Sequence, residues 1–178
     1  MIKNKRAQVN EVFTYIMAII IIGMILLFGV KYIIKLQHNI QSIDLVQFKS
    51  QVESTAQKYA YQYGSWTKKD FSVPREIEFV CFFDLSKHTA AATSNICTGT
   101  APASDPNKDV GKQPLLCDGW QQGKEGTQNI MTVPFTTENP IHIGRLEVDN
   151  TQGYKCFKVT AGKFTATITG LGDGVKIS

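Results

Sequence analysis

The sequence predicts an α+β protein: a long N-terminal α-helix, transmembrane in its first part and amphipathic in its second, packed on a C-terminal antiparallel β-sheet head domain. Three observations carry this expectation. Residues 12–30 hold no charge and are nearly all apolar. Residues 30–63 contain neither proline nor glycine, and their apolar residues recur at helical spacing. From residue 75 onward the period changes to alternation, with glycine-rich and polar clusters between short runs.

Near its start the chain reads "KNKRAQVNEVF", residues 3–13, a basic leader running into the first apolar residues. Residues 1–11 form that leader, 12–30 the membrane helix, 31–62 its amphipathic continuation and 63–178 a separate β domain. At a rise of about 1.5 Å per residue, the run from Val12 to Val30 spans roughly 28 Å, close to the ~30 Å of a bilayer's hydrocarbon. Four consecutive isoleucines, Ile19 to Ile22, read as a strand in isolation. Inside so long an apolar stretch a helix is the open structure that satisfies its own backbone in lipid. Lys3, Lys5 and Arg6 precede the run and Lys31 and Lys35 follow it. The denser positive charge on the first side places the N-terminus in the cytoplasm and the C-terminal domain outside. A secretory signal removed after the run would have a shorter apolar region, about 7–15 residues, and a small-x-small site. "KYIIKLQHNI", which follows here, has none.

Beyond the membrane, Ile33, Leu36, Ile40 and Ile43 repeat at steps of three and four, and Val46, Val52, Ala56 and Tyr59 or Ala60 continue the stripe. Gly64 in "YGSW" supplies a helix stop, so the helix runs from about residue 9 to 62. Gly23 and Gly29 lie six apart, outside the G-x-x-x-G register, and mark packing or flexibility positions. In the remainder, residues 75–85 alternate Ile77, Phe79, Cys81 and Phe83 against Glu76, Glu78, Val80 and Phe82. Strands are expected there and at 129–135, 141–149, 154–160, 163–170 and 174–178, with Thr160–Lys163 as a short hairpin turn. Residues 86–127 lack periodicity and read as a long loop, functional or pinned.

Cys81, Cys97, Cys117 and Cys156 all follow the membrane run. They form no C-x-x-C pair and no histidine adjoins them, which argues against zinc and for two disulfides in an oxidising, extracytoplasmic compartment. Four cysteines permit three pairings. Cys97 with Cys117 would pin the long loop, and Cys81 with Cys156 would bridge two strands; this pairing is favoured, with the others open.

A basic leader, a glutamate before an apolar helix, an amphipathic extension and a cysteine-bearing β remainder together resemble the type IV pilin-like proteins. "KRAQVNEVF" resembles their archaeal branch, whose class III signal peptides carry Lys/Arg, then Gly/Ala, then Gln at the processing point. The resemblance implies cleavage by a prepilin-type peptidase at Arg6, Ala7 and Gln8, on the cytoplasmic side of the helix. A cut before Ala7 makes Glu11 the fifth mature residue; a cut after Ala7 makes it the fourth. The resemblance also implies that Glu11 serves subunit assembly, its carboxylate neutralising a neighbour's new N-terminal amine in an apolar core. The alternative is a solvated glutamate that stabilises the helix dipole.

Catalytic chemistry is not legible. His38, His88 and His142 are scattered, and H-E-x-x-H, G-x-S-x-G and phosphate-binding glycine loops are lacking. Asp105, Asn107 and Asp109 open like a calcium loop, but Val110 and Leu116 stand where glycine and glutamate belong, so a solvated turn is expected. The net charge of +4 is mild, and Lys68-Lys69 is the one adjacent basic pair after the leader. Nucleic-acid binding is therefore not expected, nor a cofactor or an enzymatic function. The expectation is a pilin-like cell-surface structural or adhesion subunit. Its partners are membrane lipid and further subunits, alike or different, met through the N-terminal helix. The rival readings are a monomeric anchored binding module, recognising ligands through the 86–127 loop and "FTTENP", and a pseudopilin-like part of a secretion or uptake apparatus.

Overall fold

The computed structural model of the protein describes the backbone of residues 5–100, 105, 107–122, 128–135 and 141–178, and their side chains except those of 5–12, 34–43 and 89–92. The chain divides into two compact units, Met1–Ser42 and Ile43–Ser178. Helix α1 covers Lys5–Ala60. In the first unit its described side chains from Phe13 to Ile33 are exposed apart from the half-buried Gly23 and Gly29. Leu36, Ile40 and Ile43 of the expected stripe lie outside the described side chains.

The second unit holds two sheets. One has four strands in the order β1 (Trp66–Ser72), β6 (Lys163–Gly170), β7 (Gly174–Ile177), β4 (Arg145–Val148). The other has three, in the order β3 (Ile130–Val133), β2 (Phe79–Phe83), β5 (Tyr154–Lys158). The pairings are antiparallel except β4 with β7, which is parallel. The wholly antiparallel head expected from the sequence is therefore corrected to a mixed one. Residues 149–173, which contain β5 and β6, intervene between β4 and β7, and a connection that long lets the second strand enter in the same direction.

Two cores share β2 as a wall. Leu45, Phe48, Val52 and Ala56 of α1 pack with Phe71, Phe164, Ile168 and Ile177 of the four-stranded sheet and with Val80 and Phe82. Phe48, Phe71 and Phe164 form a ring cluster, with Phe71 stacked on Phe164 at 5.3 Å. The other face of β2, Phe79, Cys81 and Phe83, packs with Ile96, Leu116, Trp120 and Tyr154. Both faces of "FVCFF" are buried because both are covered; Glu76 and Glu78, which make the expected second face mixed, precede the strand and are exposed. A turn in which the Ile77 N–H donates to Pro74 O also breaks the alternation, so Ile77 joins Val80 and Phe82 and not Phe79.

The helical stripe differs likewise. Val46 is exposed, and Leu45 and Phe48 are buried in its place, so the inward face reads 45, 48, 52, 56. β6 behaves as its sequence asks: Phe164, Ala166 and Ile168 are inward, with Thr165 exposed and Thr167 and Thr169 half-buried on the other face. β1 has no strand signal in the sequence. Its "TKKD" centre carries three charges, and only register against β6 makes it a strand.

Residues 86–127 are not one loop. Among the described residues they contain much of the 3₁₀ stretch Leu85–Thr93, then α2 (Asn95–Thr98), a 3₁₀ turn Lys108–Val110 and α3 (Pro114–Gln121). Proline opens α3, and Leu116, Cys117 and Trp120 face inward at helical spacing. The Thr160–Lys163 turn forms, with φ of 52° at Ala161 and 74° at Gly162. The strands it joins nevertheless enter different sheets. Val159 N–H donates to Glu78 O on the β2 side, while Val73 N–H donates to Gly162 O on the β1 side.

Candidate membrane helix and surface groove

Within α1, Phe13–Ile33 is long and apolar enough to cross a membrane, and none of its apolar window is buried inside the protein. A helix that is apolar all round belongs in a core or in lipid. Tyr15 and Tyr32, both exposed, lie near its two ends, about 26 Å apart at the helical rise. Tyrosines are enriched near the two ends of membrane-spanning helices. Nothing stands within 4 Å of a side chain built at Gly23 or Gly29. The backbone of Arg6, Ala7, Gln8 and Glu11 is helical; their side chains lie outside the described residues, as does that of His38.

The four cysteines are joined as Cys81–Cys156, between facing residues of β2 and β5, and Cys97–Cys117, between α2 and α3. The Asp105–Asp109 segment lies beside the first of these. Asp105 and Asn107 are buried and Asp109 is exposed, so a solvated turn is not what forms. Asn107 N–H donates to Asp105 Oδ1 at 2.8 Å, and Gln152 Nε2 donates to Asp105 Oδ2 at 2.7 Å. Both carboxylate oxygens of Asp105 are thus taken by protein donors. Among the described residues no group of three or more His, Cys, Asp or Glu is placed to hold a metal.

Tyr154, in this same region, is buried, and no neighbour makes a well-formed hydrogen bond to its hydroxyl, although the N–H groups of Ile96 and Asn95 and the Asn107 side chain lie near it. Burial first, and the Asp105 charge second, push its pKa up to about 12, outweighing the weak pull of the Ile96 N–H and the Asn107 side chain. The aromatic trio Phe83, Trp120 and Tyr154 packs around it at 5.2–5.9 Å between centroids.

Tertiary structure does bring His88 and His142 together, in the lining of one cleft of about 660 Å³. One wall is the segment from Asp84 to His88, the other Gly144 to Glu147 at the free edge of β4. A second depression of about 400 Å³ shares His142, Gly144 and Arg145, and is completed by the last turns of α1, Tyr61 and Asp173. Arg145 bonds both Glu147 and Asp173, and those two partners raise its pKa further. Asn129, at the floor, accepts from Ile143 N–H at 3.0 Å and donates to Gly144 O at 2.9 Å, which sets the path of this wall. The histidines are 54 positions apart in the chain (142 − 88), and no local motif announces their meeting.

Compared with known protein families, curated proteins and solved structures, the chain finds no match in any of the three.

Proposed function

We propose that the protein is a pilin-like cell-surface subunit, structural or adhesive, held in the membrane by its N-terminal helix and assembled through it with like or different subunits. The observation that carries this reading is the helix Phe13–Ile33, apolar around its whole circumference and unburied among the described residues. An apolar surface of that size is stable only against lipid or against other such helices. The leader "KRAQVNEVF" adds the class III resemblance, with Arg6, Ala7 and Gln8 as the processing point and Glu11 as the assembly residue. An unpaired carboxylate in an apolar helix core costs several kcal/mol, so Glu11 next to a neighbour's amine would select a register between subunits. Positive charge before the helix puts the N-terminus in the cytoplasm and the second unit outside, where two disulfides persist.

Mass spectrometry of the membrane-extracted protein tests this. Loss of residues 1–6 or 1–7 is the expected result. The cleft holding His88 and His142 favours a second reading, a monomeric anchored binding module, and an intact N-terminus would select it.

A further inference from the structure

We propose that the two adjacent depressions that share His142, Gly144 and Arg145 bind a neutral oligosaccharide. The first depression alone, about 660 Å³, falls inside the ~300–1,000 Å³ range of small-molecule sites. Its polar groups are planar and already held. Arg145 is fixed between Glu147 and Asp173. Asp84 accepts from the N–H and hydroxyl of Ser86. His88 Nδ1 donates to Leu85 O at 3.1 Å, which in the neutral ring leaves Nε2 as an acceptor.

Charge selects among ligand classes. An anion would meet Asp84 and Glu147, and a cation would meet Arg145, while the carboxylates are already neutralised by Arg145 and Lys87. Hydroxyl groups, which both donate and accept, suit such a lining. Tyr61 borders the second depression with 82% of its surface exposed. Tyr63, equally exposed, has its ring beside Gly172, next to Asp173. Exposed aromatic faces at the rim would stack on the C–H faces of sugar rings.

The inference does not depend on filament assembly, so its test is separate from that of leader processing. The full chain is placed in phosphatidylcholine nanodiscs, free of sugar detergents. It is titrated calorimetrically with maltohexaose, cellohexaose, mannohexaose and chitohexaose, and with spermine and pyrophosphate as charged probes. At least one hexasaccharide should bind with a Kd of about 1 mM or tighter. Tyr61→Ala and Glu147→Gln should each weaken it about tenfold with unchanged unfolding midpoints, and Tyr61→Phe should restore affinity. Binding of no hexasaccharide, binding indifferent to these variants, or binding of the charged probes alone would each overturn the proposal.

Discussion

The side chain of Asn107 pairs with the backbone around Cys156 as a further strand would. Cys156 N–H donates to Asn107 Oδ1 at 2.9 Å, and Asn107 Nδ2 donates to Tyr154 O at 3.3 Å. β5 is the edge of the three-stranded sheet, and an open edge is a template for unwanted pairing. One amide closes it at the position of the disulfide.

Asn107→Ala removes these bonds and the one to Gln152 Oε1, and leaves the Cys156 N–H without its acceptor. Chemical unfolding followed by tryptophan fluorescence should show a loss of about 2–4 kcal/mol. Asn107→Asp should be worse at neutral pH, because it sets a second buried carboxylate near Asp105. Its deficit should shrink on acidification, as one of the two takes up a proton. An aspartate variant as stable as wild type at pH 7 would refute this account of the edge.

Tyr154→Phe deletes a buried hydroxyl that makes no well-formed hydrogen bond, so it should stabilise by about 1 kcal/mol at pH 7. Wild type carries a tyrosine whose pKa in the fold, about 12, exceeds its ordinary 10.0. The fold thus disfavours the ionised form. Stability from this group is intact below pH 10 and is lost as pH rises toward 12, because only the unfolded chain ionises freely there. The phenylalanine variant should therefore gain on wild type across that window, as read by denaturation at stepped pH.

Ala161 holds a left-handed conformation, φ 52°, ahead of Gly162 at 74°. Two-residue turns of this shape favour Asn-Gly. Ala161→Asn should stabilise by about 1 kcal/mol, since asparagine tolerates positive φ better than alanine. An unchanged denaturation midpoint would count against the assigned turn.

The two disulfides should differ in weight. Cys81–Cys156 closes a separation of 75 residues and Cys97–Cys117 one of 20. On chain entropy alone, the paired Cys→Ser variants should lose about 4.5 and about 3.3 kcal/mol respectively. Equal losses in parallel thermal melts would show that packing, not loop closure, sets their contributions.

What the sequence determined by itself lies along the chain: an apolar run of membrane length, a helix uninterrupted by glycine or proline, and strands such as β6 whose alternation survives intact. These are local periodicities, and each residue needs only its near neighbours to express them. Tertiary structure decided the rest. Val46 turns outward and Leu45 inward because the helix meets a particular sheet. β1 is a strand because β6 lies beside it, and β2 is buried twice because α1 and the four-stranded sheet cover one face and α2 and α3 the other. Asn107 and Asn129 are polar in sequence and buried in the fold, since each amide substitutes for a missing peptide group. His88 and His142 meet only when β4 reaches its edge position. Contacts between distant segments carry no period, so no reading of neighbours along the chain could have placed them.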